Sequence, residues 1–166
     1  MSQSVQTDSL WDYAVAAYQR PGVAEACLAL QDNGGADVNL LLAAAWLAER
    51  GCGWSSDDVA RLAHLCAGWR TRCLLPLRQV RRYLKEQMEI DDLYRRVKAL
   101  ELEAERYQLR LIEETVRHLP LQASAVGATG LLAANLEISL QALPQLRARD
   151  YRGELQRLVQ ALSVKQ

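Results

Sequence analysis

The 166-residue chain contains no phenylalanine and only four prolines, and its aromatic content is 6%. Its longest uncharged apolar run covers residues 40–48, about half of what a helix needs to cross a bilayer. Four cysteines at irregular spacing do not form the framework of a small secreted disulfide protein. Met1 is followed by a polar stretch without a basic, apolar leader, which predicts a cytoplasmic protein with no membrane segment.

Alanine and leucine dominate what is present, with 24 and 29 residues. Both have high helix propensity, whereas the β-branched residues that favour strands are scarce. The length suits one domain that closes its own hydrophobic core. The composition therefore predicts an all-α protein, a helical bundle formed as a single domain by residues 1–166.

Prolines and glycines divide the chain into predicted helices. Residues 8–75 are predicted to form a compact N-terminal bundle, in which glycines 34 and 35 end the second helix and a nearly all-apolar helix over 38–50 lies in the core. Residues 77–143 are predicted to form a long helical hairpin, and residues 150–163 a terminal helix that docks or swaps. Pro76 is expected to kink or end the helix before it.

The long helix is the most informative feature, because residues 77–119 contain neither glycine nor proline. A continuous helix there would be about 65 Å long, against a diameter of about 40 Å for a globule of this size. We therefore predict a break near residues 89–92, where Asp91 or Asp92 can start a new helix. The alternative is a projecting arm.

Within this window, apolar residues keep the three-four rhythm of a coiled-coil seam. The seam residues are Ile90, Leu93, Val97, Leu100, Ala104, Tyr107 and Leu111. We expect the helix after Pro120, over residues 131–143, to pack antiparallel on this seam. A second copy of the chain is the alternative partner, which would make a homodimer.

The zero net charge conceals a segregation of charge along the chain. Residues 1–60 hold eight acidic and two basic side chains, whereas residues 61–85 hold seven basic side chains and no acidic one. Four of the latter share one helical face and define the basic stripe: Arg78, Arg81, Arg82 and Lys85. The stripe can bind an anionic partner protein. Alternatively Arg82 and Lys85 pair with Glu86 and Glu89 one turn on, and the rest of the stripe faces the acidic first third of the chain. Nucleic acid is disfavoured, since no DNA-reading motif or interleaved exposed aromatics accompany the stripe.

Conventional catalysis and metal binding are not indicated. Zinc sites usually show close pairs such as Cys-x-x-Cys, and His64 and Cys66 would point to nearly opposite sides of their helix. No strand precedes a phosphate-binding glycine loop, and neither histidine has a nucleophile beside it in sequence. We predict no catalytic residue, no metal ligand and no cofactor.

Polar and aromatic residues intrude on the first three predicted helices, which otherwise look buried. They are compatible with a small pocket lined by Trp11, Asp12, Tyr18, Asp37, Asn39 and Trp46. The structural alternative, which we prefer, is that they are helix caps and buried hydrogen bonds that fix how the helices cross.

The same region carries a family resemblance. Trp11-Asp12-Tyr13-Ala14, Pro21-Gly22-Val23 and above all Gly35-Ala36-Asp37-Val38-Asn39 resemble an uncharacterised family of small proteobacterial proteins, a domain of unknown function about 160 residues long. The distinctive residues all precede residue 55. The resemblance implies a bacterial cytosolic protein and transfers no catalytic residue.

These patterns predict a non-enzymatic adaptor or regulatory protein, which binds another protein through its long helix and basic stripe. The second hypothesis is a small-ligand binder or unconventional enzyme that uses the aromatic and aspartate residues of the first three helices.

Overall fold

The computed structural model describes residues 9–87, 91–143 and 148–164. Within them the elements are α1 (Leu10–Tyr18), α2 (Val23–Gly34), α3 (Val38–Glu49), β1 (Cys52–Gly53), α4 (Ser56–Trp69), a π-helical turn (Arg70–Leu74), α5 (Leu75–Lys85), α6 (Asp91–Val116), β2 (Gln122–Ala123), α7 (Ala128–Gln141) and α8 (Ala148–Ser163). The prediction of an all-α bundle is confirmed. No helix in the described ranges has the length and apolarity needed to cross a membrane.

Local chemistry sets the helix ends. Three helices begin at a side chain that accepts a backbone N–H of the first turn, which satisfies one of the four unpaired donors there. These caps are Ser9, Asp37 and Ser55. Helix α2 ends at Gly35, whose φ of 68° lies in the left-handed region that favours glycine, as the double glycine predicts.

The core is built around α3, whose residues 39–48 are all buried. One continuous cluster of buried side chains runs from Leu10 on α1 to Leu162 on α8. Ile112 of α6, Leu136 of α7 and Leu158 of α8 belong to it and are fully buried. The N-terminal helices therefore share their core with the C-terminal ones.

A π-helical turn, Arg70–Leu74, joins α4 to α5 just before Pro76. Proline supplies no N–H and its ring collides with the carbonyl four residues earlier in a regular α-helix. The wider turn absorbs this misfit, so the chain stays helical from Ser56 to Lys85. Pro76 therefore does not end the helix but changes it locally from α-helical to π-helical.

Helices α5 and α6 form the hairpin. Gln87 is not helical and α6 begins at Asp91, so the long helix is broken as predicted and no single arm projects. Residues 88–90 lie outside the described ranges. Helix α6 has 26 residues, about 39 Å at 1.5 Å per residue.

The partner predicted for the seam was wrong. Helix α7 packs against α3 and α8, and α6 packs against α5, so the hairpin closes before Pro120. The physical reason is that α7 carries the buried row Leu132, Leu136 and Leu140, which joins the core around α3. Helix α8 docks within the chain on α2 and α7, and the Arg20 guanidinium donates to the Leu162 carbonyl at 2.9 Å.

A two-residue ladder is the one strand pairing in the described ranges, and composition did not predict it. Cys52 pairs with Ala123, and Gly53 with Gln122, in antiparallel register. The buried Asn135 of α7 reinforces this junction by donating to the carbonyls of Ala44, at 3.2 Å, and Cys52, at 3.0 Å. The segment after Pro120 is thereby held against the connection between α3 and α4.

Candidate functional site

A groove of about 480 Å³ is lined by residues of α1, α2 and α3 on one side and of the α5–α6 hairpin on the other. This volume is typical of small-molecule sites. Its walls are apolar or aromatic: Trp11, Ala14, Val15, Tyr18, Leu28, Val38, Leu42, Leu102 and Leu109. Its polar lining residues are Gln19, Gln31, Asn39, Arg78, Arg81, Glu101 and Glu105. We call this feature the groove.

Helix α1 supplies one wall because of its residue spacing. Trp11, Ala14, Val15 and Tyr18 recur at three and four residues and therefore share one face of the helix. The core takes the neighbouring face instead, formed by Leu10, Tyr13, Ala14 and Ala17. On the groove face, Val15 and Tyr18 remain exposed.

A network of charged side chains forms the floor of the groove. Arg78 donates from Nε to Glu101 at 3.2 Å, from Nη1 to Gln31 at 2.5 Å and from Nη2 to Glu105 at 3.0 Å. Arg81 donates from Nε and Nη2 to the two carboxylate oxygens of Glu101. Only 7% of the Glu101 side chain is exposed. Two arginines from α5 and two glutamates one turn apart on α6 thus tie the hairpin together.

Three of the side chains that line the groove have shifted pKa values. Burial raises the pKa of Glu105, an effect that Arg78 partly offsets and Glu101 increases. Burial also raises the pKa of Tyr18 to about 12, so its hydroxyl keeps its proton at neutral pH. The hydrogen bond to Glu101 raises the pKa of Arg81.

A second polar chain connects α6 to the start of α3. Asn39 donates from Nδ2 to Gln108 at 3.1 Å, and Gln108 donates from Nε2 to Asp37 at 2.6 Å. Asp37 also caps α3 through the Asn39 N–H. Gln108 is fully buried, so these bonds fix the position of α6 against the N-terminal helices.

The structure brings three of the six predicted pocket residues into the groove: Trp11, Tyr18 and Asn39. Asp37 lies next to them as a helix cap. Asp12 lines a separate polar cleft, where its carboxylate accepts from the Ser9 hydroxyl at 2.6 Å. Trp46 is buried in the core beneath the Arg50 guanidinium, so placing it in the pocket was wrong.

The basic stripe divides between the groove and the surface. Arg78 and Arg81 enter the groove floor, and Arg82 pairs with Asp32 of the acidic first third at 2.7 Å. Lys85 is exposed. All three arginines pair within the chain, but with partners other than those considered from sequence. Arg78 and Arg81 pair with glutamates of α6 and not with the acidic first third, and Arg82 pairs with Asp32 and not with Glu86.

The seam also divides. Val97 and Ala104 are buried and Leu111 is half-buried, whereas Leu93, Leu100 and Tyr107 are exposed. Ile90 lies outside the described residues. Tyr107 packs against Trp69 of α4, with ring centroids 4.4 Å apart and ring planes tilted by 43°.

Sequence reasoning missed Glu101, Glu105 and Gln31. A signal was available, since two glutamates at i and i+4 on one helix match arginines at i and i+3 on the preceding one. Within the described residues, no group of three histidine, cysteine or carboxylate side chains is placed to hold a metal ion.

Residues 9–112 match the family described as a protein of unknown function, DUF2390. The chain belongs to this family. No curated protein and no solved structure matches it significantly. The DUF2390 match reaches well beyond the distinctive residues of the resemblance, which all precede residue 55. It contains every residue that lines the groove and leaves out α7 and α8.

Proposed function

We propose that this chain is a bacterial cytoplasmic protein that binds a small organic ligand in the groove. The observation that carries the proposal is a concave, mostly apolar surface that encloses a few fixed polar groups. Binding sites for small molecules have this composition, because apolar walls supply affinity and a few polar groups set orientation.

Exposure at the mouth of the groove supports the proposal. Val15, Leu28 and Leu102 leave 40%, 43% and 52% of their surface exposed, and all three line the groove. Covering such clustered apolar surface stabilises a complex by about 25 cal/mol for each Å² removed from water. A ligand seated there would bury these three residues together.

A thermal-shift screen of metabolites tests the proposal with two matched variants. Val15→Trp fills the groove from an exposed position, and Val80→Trp makes the same change at an exposed position of α5 outside it. A ligand at a hundred times its Kd stabilises by about 2.7 kcal/mol, which raises the melting temperature by about 5–10 °C.

We expect hits that act on the wild type and on Val80→Trp but not on Val15→Trp. Hits that persist in Val15→Trp, or a broad library without any hit, would count against binding in the groove.

A second candidate function is contact with another copy of the chain, as a protein-interaction module. It rests on the exposed half of the seam, where Leu93, Leu100 and Tyr107 repeat every seven residues along α6. That period keeps one row facing a partner helix. The arginines of the basic stripe are not part of this proposal, because the charge of each one is already paired with a carboxylate of the same chain.

Sedimentation of two variants, at positions that are equally exposed in the wild type, tests this candidate function. Leu100 and Leu102 are both 52% exposed on α6, but only Leu100 belongs to the exposed row. We expect the wild type and Leu102→Glu to dimerise and Leu100→Glu to remain monomeric. A monomeric wild type at every concentration would refute the contact.

A further inference from the structure

The floor of the groove holds more hydrogen-bond donors than its own acceptors use. A guanidinium has five N–H donors. Arg81 uses Nε and Nη2 on Glu101, and its Nη1 has no hydrogen-bond partner among the described residues. Arg78 makes one hydrogen bond from each of its three nitrogens, which leaves one unused N–H on Nη1 and another on Nη2.

The acceptors beside these donors bind other N–H groups, and among the described residues none of them accepts from Arg81 Nη1. Both carboxylate oxygens of Glu101 accept from arginine, and Gln31 and Glu105 each accept from Arg78. The Tyr18 hydroxyl, which interacts electrostatically with Glu105, adds another donor. A ligand that enters the groove therefore meets spare donors at the floor, and it satisfies them best with an acceptor-rich group.

We propose that the ligand is an organic monocarboxylate, whose carboxylate binds Arg81 and Arg78 and whose apolar body lies against Trp11, Leu28 and Leu102. This inference rests on the proposed ligand-binding function. Charge-assisted bonds from arginine to a carboxylate are about twice as strong as neutral ones. The groove volume of about 480 Å³ leaves room for an aliphatic or aromatic body beyond the carboxylate.

The charges of the floor favour one negative charge over two. Two arginines balance two glutamates, so an incoming anion creates an excess that a proton must offset. Glu105 is the group placed to take this proton, because burial already raises its pKa. It is faced by Arg78 and Arg81 from α5, by Glu101 from α6 and by Tyr18 from α1. One proton offsets a carboxylate but leaves a phosphate dianion uncompensated.

Binding measured with two trios of matched probes tests the ligand class. Octanoate, octanol and octylamine share one body, and phenylbutyrate, phenylbutanol and phenylbutylamine share another. Because a hydrogen bond to a charged group contributes about 1.5–3 kcal/mol, the carboxylate should bind about tenfold or more tightly than the alcohol of the same body, and the amine least. Isothermal titration calorimetry on the full chain gives all six affinities.

Two variants with opposite expected effects locate the carboxylate. Arg81→Gln removes the unused donors and should weaken carboxylate binding about tenfold without weakening alcohol binding. Glu105→Gln keeps an acceptor for Arg78 and removes the competing charge, so carboxylate binding should tighten. Because Glu105→Gln is expected to gain affinity, its result does not depend on the folding of the arginine variant.

The outcomes separate the two proposals. An alcohol or amine that binds as tightly as its carboxylate overturns the monocarboxylate inference but leaves ligand binding in the groove intact. Absence of binding by all six probes also overturns the inference, whereas the library screen with Val15→Trp decides the proposed function separately.

Discussion

Glu101 is the residue on which the charged floor of the groove depends, and Glu101→Gln tests this role. The carboxylate accepts three hydrogen bonds, one from Arg78 and two from Arg81. Glutamine keeps the size of the side chain but turns an N–H₂ group toward one of the two arginines. The variant therefore removes the negative charge and places donor against donor without opening a cavity.

The loss in free energy of unfolding caused by Glu101→Gln follows from the burial of the ion pairs. Glu101 exposes 7% of its side chain, and Arg78 and Arg81 expose 12% and 23%. Removing one partner of a buried ion pair costs about 3–5 kcal/mol, because the remaining charges stay buried without compensation. Since Arg81 keeps some access to water, we expect the lower end, about 3 kcal/mol. For a chain of this length that lowers the melting temperature by about 6–12 °C.

Two control variants separate this effect from the loss of an exposed negative charge. Glu103→Gln makes the same change at an exposed position of α6 and should shift stability by less than about 0.5 kcal/mol. Asp32→Asn breaks the exposed pair with Arg82, in which both side chains are about half exposed, and should cost at most about 1 kcal/mol.

Urea unfolding of the three variants, followed by circular dichroism, gives the free energies of unfolding. If Glu101→Gln costs no more than Asp32→Asn, the floor is a solvated surface pair and our account of the groove fails.

Three further predictions concern other parts of the molecule. Asn135→Ala removes the hydrogen bonds to two backbone carbonyls and should lower the free energy of unfolding in urea by about 3 kcal/mol or more, since buried acceptors lose their donor. A loss below about 1 kcal/mol, as expected for a surface substitution, would contradict this prediction. The four free cysteines fall into a buried pair, Cys27 and Cys66, and a half-buried pair, Cys52 and Cys73. Burial raises the pKa of the buried thiols to about 12 and 11, so an alkylating reagent at mildly basic pH should modify the half-buried pair first, with mass spectrometry as the readout. The pKa of Glu105 is higher in the folded chain than in the unfolded chain, so protonated Glu105 favours the folded state. The contribution of Glu105 to the free energy of unfolding should therefore be largest below its unfolded-state pKa and be lost as the pH rises through its folded-state pKa. Melting temperatures across the acidic range should show this fall in the wild type and a smaller one in Glu105→Gln.

Helix ends were predictable from sequence because their chemistry is local. Gly35 ends α2, Asp37 caps α3 and Ser55 caps α4, and each acts on backbone groups within a few residues. The break between α5 and α6 followed from a comparison of length with globule size, which needs no knowledge of partners. Neither kind of feature requires knowing which helices pack together.

The partner of α6 was not predictable, because periodicity identifies an apolar face without identifying what covers it. The seam contains two rows, and only Val97 and Ala104 are buried within the chain. Helix α7 carries an equally regular apolar row but joins the core around α3. Choosing between these pairings requires the packing of the whole bundle.

One half of the candidate site could be predicted from the sequence. The polar and aromatic residues of the first three helices indicated a cluster, and three of them, Trp11, Tyr18 and Asn39, line the groove. Its other half comes from α5 and α6, far along the chain. There the arginines appeared as a surface stripe, because their partners Glu101 and Glu105 lie on a helix whose position was unknown.

The buried polar residues of α6 set how this helix lies against the first three helices, and so help to shape the groove. Glu101, Gln108 and Glu113 are buried on this helix, and each binds a group on another element: the arginines of α5, Asn39 of α3 and the Leu10 N–H at 3.0 Å. Unlike apolar contacts, these bonds have a fixed length and direction, so they set where α6 lies against α1 and α3. The long side chain of Arg78 then spans the distance between the hairpin and Gln31 of α2. Small apolar side chains at these positions would let the two elements pack closer together. The polar network therefore specifies the position of the hairpin and keeps the apolar walls of the groove apart.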